Sequence, residues 1–250
     1  MKHGYHVMLS VSRENPDIEK ENIMTLLSHR VDGLLVAVSK DTKDATVFET
    51  VKKMNIPLVF FDRTIEEIRC SSISINDRKA AAALVEYAIA CGYKNIAHLA
   101  GSSTIAIGRD RRAGYEETLK WHNIPVREEW IVEGGFDKTS GYNGFHTLQE
   151  QAELPEVIFA ANDRIAQGAY EAIKEAGLKI PEDIGVIALG HNEFAESLSP
   201  SLTIMDAPPD VIGQRAMEIL AEEMKDPSKC GQHHIVLETS MKIHSSIGNK

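Results

Sequence analysis

Short apolar runs alternate with amphipathic helical patterns along almost the whole chain. The clearest runs are nearly continuous in apolar residues and are "YHVMLSV", "GLLVAVS", "PLVFFD", "IAHLAG", "VIFAAND" and "GVIAL". Runs of this kind suit strands that are covered on both faces, as in parallel sheets. Strands alternating with helices predict a doubly wound α/β architecture. Because the runs fall into two groups, at residues 5–62 and 96–190, we expect two similar lobes with parallel sheets.

Several helices are predicted together with their ends. In "NDRKAAAALVEYAIACG", Asn76 is typical of an N-cap and Gly92 of the left-handed position after a helix. In "NDRIAQGAYEAIKEAG", Gly177 plays the same terminal role. "PPDVIGQRAMEILAEEM" begins with proline, which favours a helix start, and its periodicity turns Val211 toward the core.

The bulk composition excludes several classes of protein. The 250 residues are 43% apolar and 26% charged, which argues against extended disorder. The net charge of −10 predicts no general affinity for nucleic acid or for an anionic membrane surface. No apolar run approaches the ~20 residues of a membrane span, and no secretory signal is present.

The cysteines predict a reducing compartment. Cys70, Cys91 and Cys230 are odd in number and widely spaced, which favours buried thiols in the cytoplasm over a disulfide framework. No pair of cysteines or histidines has the spacing of a metal site. We therefore predict neither a metal nor a cofactor.

Polar residues directly follow the apolar runs. In open parallel sheets, ligands bind beyond the carboxyl ends of the strands. The residues in these positions are Ser39, Asp62, Arg63, Ser102, Ser103, Asn162, Asp163, Gly190, His191 and Asn192. Donors and acceptors gathered at one edge of each sheet predict a site for a small polar ligand.

Several of these candidates also have a structural interpretation. Asp163 is typical of a helix N-cap, which would leave Asn162 freer to contact a ligand. Asp62 could start a turn. In the cluster 109–112, helix geometry favours one inward arginine and two solvated ones over a phosphate site. Phe136, in a glycine-flanked loop, could stack on a ring or a sugar face, or fill a gap.

Motifs of catalysis are missing from the sequence. There is no G-x-S-x-G elbow, no H-E-x-x-H and no P-loop, and "GSSTIAIG" lacks the phosphate-binding fingerprint. No titratable pair is placed by its spacing for acid–base work. The sequence therefore favours binding without chemistry over an enzyme.

Longer motifs cover nearly the whole chain: "VDGLLV", "IPLVFFDR", "GYKNIAHLAG", "RRAGYEETL", "VIFAANDRIAQGAYEAIKEAGLKIPEDIGVIALG" and "SPSLTIMDAPPDVIGQRAMEIL". With these motifs the chain resembles the effector-binding core of the LacI/GalR family of bacterial transcription regulators. That core has the periplasmic-binding-protein type I fold. The run from "AND" through "IPEDIGVI" is more specific to the regulators than to the related periplasmic sugar receptors.

The resemblance implies two lobes joined by three crossovers. The N-terminal lobe would comprise residues 1–75 with 208–234, and the C-terminal lobe residues 76–207 with 235–250. The family's effector sits between the lobes, and the family acts as a homodimer on operator DNA. The resemblance thus implies a small-molecule effector, such as a sugar, and no membrane partner.

The resemblance also implies site residues. The positions that match the family's effector contacts are Asp62, Ile75, Arg111, Phe136 and Asn162. Asp163 and His191 complete the candidate ligand-binding set, and no residue is assigned a catalytic or metal-binding role.

Two features depart from the family pattern. The stretch "ALGHN" puts Gly190 where the family often carries an aspartate that accepts hydroxyl hydrogen bonds, and His191 could substitute as a donor. The aromatic residue often found near the second crossover is replaced by Pro208 and Pro209. We therefore expect an effector other than a free monosaccharide, or one held elsewhere.

The larger departure lies at the start. The family's core opens with a strand and a helix before its "GY-x-V" strand, whereas "GYHV" is residues 4–7 here. The first strand–helix unit, ~30 residues, and the helix-turn-helix head are thus expected to be missing. In a 2-1-3-4-5 strand order the lost strand is internal, which leaves a gap of ~9–10 Å beside "GLLVAVS". We expect a longer native product; otherwise the flanking strands close up, or another chain fills the gap.

Three functions follow in order of preference. The first is the effector-sensing and dimerising part of a transcription regulator, in which ligand-dependent lobe closure biases DNA binding by a head that this chain lacks. The second is a solute-binding receptor for a sugar transporter, because the fold alone does not determine function. The third, an enzyme on the same scaffold, is disfavoured by the missing catalytic motifs.

Overall fold

The computed structural model describes residues 4–40, 42, 44–65 and 67–250. The chain forms two compact units. The first unit comprises Met1–Ile75 and Pro209–Leu237, and the second comprises Asn76–Pro208 and Glu238–Lys250.

Each unit is built on a largely parallel sheet. In the described part of the chain the strands are β1 (Leu34–Val36), β2 (Leu58–Phe61), β3 (Ser71–Ile75), β4 (Ile96–Ala100), β5 (Ile131–Glu133), β6 (Val157–Ala160), β7 (Gly185–Gly190), β8 (Thr203–Asp206), β9 (His234–Leu237) and β10 (Ser240–Lys242). The first sheet has the order β1-β2-β3-β9, and the second β10-β8-β7-β6-β4-β5. Only β10, paired with β8, is antiparallel among these strands. The α/β class with parallel sheets is therefore confirmed.

Helices separate most of the strands. The α-helices are α1 (Pro16–Ser28), α2 (Thr46–Lys53), α3 (Asp77–Ala90), α4 (Ala106–Trp121), α5 (Lys138–Gln149), α6 (Asp163–Glu175), α7 (Asn192–Ser197) and α8 (Pro209–Lys225). Short 3-10 helices cover Glu128–Trp130 and Pro227–Lys229.

Side-chain caps determine where several helices begin. Asn76 caps α3 as predicted, and its Oδ1 accepts a hydrogen bond from the Lys79 N–H at 2.9 Å. Asn15 caps α1 in the same way, and Pro16 occupies the first helical position, where its missing N–H costs nothing. α3, α6 and α7 start just beyond the carboxyl ends of β3, β6 and β7, which places their first turns beside the polar residues there.

Each sheet has its own hydrophobic core. In the second unit α5 and α6 pack on one face of the sheet, and buried side chains such as Phe145, Ile158 and Ile173 form a continuous cluster. In the first unit one face of the sheet packs around Phe48 and Phe60, while α8 covers the other face. Burial on both faces explains the continuous apolar runs in the sequence.

The segment Tyr5–Val11 does not form the strand that the sequence predicted. The structure assigns it no strand pairing, and its apolar side chains are exposed: Val7 by 78%, Met8 by 52%, Leu9 by 86% and Val11 by 65%. In the described residues nothing pairs with the outer edge of β1. Segment 5–11 and β1 therefore do not pair with each other across the expected gap. Three strands come from the residues before 76, and β9 completes the first sheet.

Three further expectations are corrected. The expected boundary between the lobes at the last crossover lies between residues 234 and 235. However, β9 pairs with β3 as far as Leu237, so residues 235–237 belong to the first unit. The second crossing, at 208/209, lies one residue beyond the expected one. In α8 Val211 is exposed and Ile212 is the buried residue instead.

Cys70 and Cys91 are buried as predicted, whereas Cys230 is exposed. Burial raises the pKa of the Cys70 thiol to about 12. Among the described helices, none combines the length and the apolar character that crossing a bilayer requires.

Candidate functional site

The candidate site of the second unit is built where its parallel strands end. Ser102 and Ser103 follow β4, Asn162 follows β6, and His191 follows β7. Because β4, β6 and β7 are neighbours in the sheet and run in one direction, their carboxyl ends meet at one edge.

Arg111 is the inward arginine of its cluster, and it is held by a buried ion pair. Its Nη2 lies 2.6 Å from Asp77 Oδ1, and its Nε donates to the same oxygen at 2.7 Å. Its Nη1 donates to the Ala161 carbonyl at 2.5 Å. Both side chains of the pair are more than nine-tenths buried. These contacts fix the guanidinium at the carboxyl edge of the sheet, where it orders the backbone that precedes Asn162.

The other arginines of the cluster behave differently. Arg112 bonds to Glu116, Glu128 and Glu133 and is therefore not simply solvated. Arg109 is exposed and donates to the carbonyls of the loop that follows β4. The prediction of one inward arginine is confirmed, whereas the prediction that the other two are solvated is wrong for Arg112, whose side chain is 29% exposed and paired with glutamates.

Asn162, not Asp163, is the N-cap of α6. Its Oδ1 accepts from the Ile165 N–H at 2.8 Å, while its Nδ2 donates to the Phe136 carbonyl at 3.0 Å. The interpretation of Asp163 as the N-cap is thus wrong, and Asn162 takes that role. Aspartate and asparagine are equally good caps, so the sequence "AND" does not reveal which of the two takes the position.

Phe136 lies over the loop that follows β4. A Cβ on Gly101 would meet the Phe136 ring at 2.0 Å, so the ring occupies the space that a larger residue would fill. The phenyl ring is half-buried and packs against the core of the second unit. It therefore brings an aromatic surface to the edge that carries Asn162.

Asp163 and His191 join the ends of β6 and β7. Asp163 Oδ2 accepts from the His191 backbone N–H at 3.2 Å and lies 3.1 Å from His191 Nδ1. The Asp163 side chain is 10% exposed and the His191 side chain 50% exposed. Nδ1 of the histidine therefore faces the carboxylate, and half of its side chain is exposed at this edge.

The same pair explains Gly190. Its φ is +151°, and a Cβ there would lie 2.6 Å from Asp163 Oδ2. The position therefore has no room for the aspartate side chain that the family resemblance suggested, and the carboxylate at this point of the edge is that of Asp163. Burial works to raise the pKa of Asp163, but the hydrogen bonds and charge of His191 outweigh it, so the pKa lies below its ordinary value.

Two further groups at this edge were missed by sequence reasoning. Asp77 opens α3 and carries no local signal of its pairing with α4. Asp206 ends β8, and its Oδ1 accepts from the Asn192 N–H at 3.1 Å. Asn192 also contacts His244 Nε2 through its Oδ1, at 3.0 Å. Three consecutive buried residues precede Asp206 in β8, and this pattern gives no hint of its role.

Asp62 and Ile75 belong to the first unit. Ile75 is the buried last residue of β3, and Asp62 follows β2 with a positive φ of 62°. Aspartate tolerates this conformation better than most residues, which fits the alternative that Asp62 forms a turn. The seven candidates thus divide between the units: these two lie in the first unit and the other five in the second.

The carboxyl edge of the first sheet carries its own polar network. Glu19 is buried; its Oε2 accepts from the Ser39 N–H at 2.6 Å and its Oε1 from Thr42 Oγ1 at 2.7 Å. Glu14 pairs with Arg63 Nη1 at 2.7 Å. Burial acts to raise the pKa of Glu14, but Arg63 and a backbone hydrogen bond bring it below its ordinary value. These carboxylates order the loops after β1 and β2.

Taken together, the described edge of the second sheet offers an imidazole, a guanidinium, carboxamide groups and one aromatic ring. Such a set can hold a small polar molecule by hydrogen bonds and stacking. Over the described parts of the chain, no group of three or more histidine, cysteine, aspartate or glutamate side chains could hold a metal ion.

Comparisons with known proteins agree with this geometry. A family model described as a periplasmic binding protein-like domain matches residues 85–247. The chain is 30% identical over 247 residues to the HTH-type transcriptional repressor PurR of Actinobacillus pleuropneumoniae serotype 3, a match that covers 98% of this chain and 73% of that protein. It is 28% identical over 246 residues to the ribose operon repressor of Haemophilus influenzae, again covering 98% and 73%. The crystal structure of transcription regulator CcpA of Lactococcus lactis matches with a TM-score of 0.86 at 25% identity, over 98% of this chain and 89% of that one.

These matches define the class as a periplasmic binding protein-like domain, in agreement with the two parallel sheets and their polar carboxyl edges. More narrowly, the chain belongs to the LacI/GalR family of transcription regulators. The regulator interpretation is therefore favoured over the solute-receptor interpretation.

Proposed function

We propose that the chain is the effector-sensing part of a DNA-binding transcription regulator, and that its effector is a small polar molecule, such as a sugar or a sugar-like compound. The observation that supports this binding site is the carboxyl edge that adjacent parallel strands share. Asn162, Asp163 and His191 follow these strands and are ordered by hydrogen bonds. The names of the two curated relatives, a PurR repressor and a ribose operon repressor, support this class of function.

Binding without chemistry is part of the proposal. The acceptors, donors and ring of this edge suit recognition, and the relatives are named as repressors. A ligand that binds one conformation better than another shifts the population toward the preferred conformation. Only such a difference in affinity can change how a DNA-binding partner behaves. The proposal places the protein in the cytoplasm, where a bacterial regulator meets DNA.

The experiment is a thermal-shift screen with D-ribose, D-galactose, D-glucose 6-phosphate, adenosine and adenine. A ligand that binds the folded state raises the melting temperature as its concentration rises. We expect one chemical class to do so, and the remaining classes to leave the melting temperature unchanged.

Variants then locate the site. Asn162→Asp keeps a good N-cap for α6 but replaces the amide that donates to the Phe136 carbonyl by a carboxylate that cannot donate. We expect it to remain folded, with some loss of stability because a carboxylate then faces the Phe136 carbonyl, and to lose the shift, as His191→Ala should. The matched control Asn143→Asp, on the exposed face of α5, should respond like wild type. A full response in both site variants would disprove this site.

Two partner claims belong to the same proposal. We propose a homodimer, which sedimentation equilibrium would reveal as twice the mass of one chain, and which a monomer across the micromolar range would contradict.

With a net charge of −10, these 250 residues should not bind operator DNA tightly on their own, because such binding depends on neutralising phosphates with basic side chains. Tight, sequence-specific retention of DNA by this chain would contradict the claim.

A further inference from the structure

A cavity of about 400 Å³ lies at the amino edge of the second sheet, opposite the edge that carries the candidate effector site. Asn95 and Ile96, where β4 begins, line it together with Trp130, which directly precedes β5. Because β4 and β5 are parallel neighbours, their amino ends meet at this edge. A volume of this size is typical of small-molecule sites, which span ~300–1,000 Å³.

The lining of this cavity is basic. Lys94, His122 and Arg127 contribute to it, and none of its described lining residues is an aspartate or a glutamate. Two of the basic side chains have acidic partners outside the lining. His122 Nε2 lies 2.7 Å from Glu86 Oε2, and Arg127 Nη1 lies 2.9 Å from Glu153 Oε2. In a chain with a net charge of −10, a cavity lined in this way favours anions.

Lys94 supplies a positive charge that is not neutralised within the described residues. Glu156 accepts hydrogen bonds from the backbone N–H groups of Lys94 and Asn95, each at 3.3 Å, and its other oxygen pairs with Lys250. The Lys94 ammonium has neither an ion pair nor a hydrogen bond in the described part of the chain. The same holds for the side-chain amides of Asn95 and Asn123, which also line the cavity. These three side chains are therefore available to a ligand.

The other walls of the cavity are aromatic and aliphatic. Trp130 is buried, and the Arg127 guanidinium lies over its ring at 4.2 Å from the centroid. Ile96 and Ile124 contribute aliphatic surface. A guanidinium suits a carboxylate, because its planar N–H groups match the two carboxylate oxygens. The isoleucines suit an apolar body.

We propose that this cavity binds a small organic monoanion, namely a carboxylate attached to an apolar ring. Lys94 and Arg127 would hold the carboxylate, and the indole and isoleucine walls would hold the ring. A single negative charge is expected because two of the three basic side chains already have acidic partners, which leaves Lys94 as the unpaired one. The site is independent of the proposed effector site, since the two lie at opposite ends of β4.

The test is a ¹H–¹⁵N NMR titration of the full chain with benzoate. Benzamide is the matched control, because it has the same ring without the charge. The chain holds two tryptophans, so Trp121→Phe assigns the indole N–H signal of Trp130. We expect benzoate to shift this signal and the amides of Asn95 and Asn123 saturably. Benzamide should bind about tenfold more weakly, because hydrogen bonds to charged groups are the stronger ones.

Two results of this titration would overturn the proposal. The first is equal affinity for benzoate and benzamide, which would remove the anionic specificity. The second is the absence of benzoate-dependent shifts at the cavity at about 10 mM, a concentration that would nearly saturate a site with a Kd of ~1 mM. Benzoate shifts that appear only beyond the carboxyl ends of β4, β6 and β7 count as this second result.

A pair of lysine variants tests the charge itself. Lys94→Met removes the ammonium and keeps an aliphatic side chain, and the position is exposed, so we expect a folded protein by circular dichroism. Its affinity for benzoate should fall about fivefold while its affinity for benzamide stays the same. Lys225→Met, on the exposed last turn of α8 in the first unit, should bind benzoate like wild type. Wild-type affinity for benzoate in Lys94→Met would overturn the proposal.

Discussion

Arg111 and Asp77 form a buried ion pair that ties the start of α3 to the first half of α4, with Nη2 of the arginine 2.6 Å from Oδ1 of the aspartate. The same guanidinium holds the Ala161 carbonyl beyond β6. The pair therefore orders the backbone that precedes Asn162.

Removing one member of this pair should destabilise the second unit strongly. Arg111→Met leaves the Asp77 carboxylate buried without a counter-charge, and such a change costs ~3–5 kcal/mol. Urea unfolding should register that loss, and Asp77→Asn combined with Arg111→Met should recover most of it. The control Arg78→Ala breaks the neighbouring but exposed pair with Glu117 and should leave the urea midpoint nearly unchanged. Equal effects of Arg111→Met and Arg78→Ala would refute the buried pair.

Gly190→Ala should cost more than an ordinary glycine substitution. The positive φ and the approach of Asp163 act together at this position, and strained backbone alone costs ~1–3 kcal/mol. Gly177→Ala is the matched control, because Gly177 also has a positive φ, of +75°, but nothing lies within 4 Å of its Cβ position. The difference between the two variants in free energy of unfolding reflects the collision with Asp163 together with the less accessible backbone region at φ +151°. If the two losses match, the Asp163 carboxylate does not occupy that space.

His98 should make the protein sensitive to acid. Its ring is fully buried, stacks on Phe159 at a centroid distance of 4.4 Å and hydrogen-bonds the Phe159 carbonyl through Nδ1. Burial lowers the pKa of His98 from its ordinary 6.5 to about 4. The unfolded chain therefore binds a proton that the folded chain does not, and stability is lost as the pH falls from 6.5 toward 4.

Between pH 7 and pH 5 that loss should amount to about 2 kcal/mol from His98. His98→Asn can still donate to the Phe159 carbonyl but does not titrate, so its free energy of unfolding should depend less on pH over this range. A wild-type slope in His98→Asn would show that other groups cause the acid sensitivity.

The thiols should differ in accessibility. Cys230 is exposed, whereas Cys70 and Cys91 are buried. Titration of the native protein with Ellman's reagent should therefore modify one cysteine, with all three reacting after unfolding in guanidinium chloride. Burial and the neighbouring Glu223 raise the pKa of Cys230, so its reaction should speed up as the pH is raised above neutrality. Rapid reaction of three thiols in the native state would contradict the packing of Cys70 and Cys91.

Much of the fold could be predicted because its signals are local. A continuous apolar run predicts a strand buried on two faces, and Asn76 followed by an alanine-rich pattern predicts the start of α3. The sequence does not predict β3, "SSISI", as a strand, because its serines interrupt the apolar run. The alternation of serine and isoleucine nevertheless matches the alternating burial of this strand. Segment 5–11 has the composition of a strand but no partner strand in the described residues, and pairing depends on a neighbour that composition cannot supply.

The candidate site was less predictable because its contacts are not local. Arg111 and Asp77 are separated by 34 positions, and nothing around either residue indicates the other. The exchange of roles between Asn162 and Asp163 depends on the backbone conformation of a single residue. What could be predicted was the edge at which the polar side chains gather, because the parallel direction of the strands determines it.

The proposed effector site at the carboxyl edge of the second sheet is tested most directly by a two-dimensional ¹H–¹⁵N NMR titration. The full chain is titrated with whichever screened compound raises its melting temperature. We expect the largest shift changes at amides that follow β4, β6 and β7, among them Ser102, Asp163 and His191. The cavity lined by Lys94, Asn95 and Asn123 lies at the opposite, amino end of β4. The shift changes at this cavity are compared with those at the carboxyl edge. Changes confined to that opposite edge would contradict the claim that the carboxyl edge of the second sheet senses the effector.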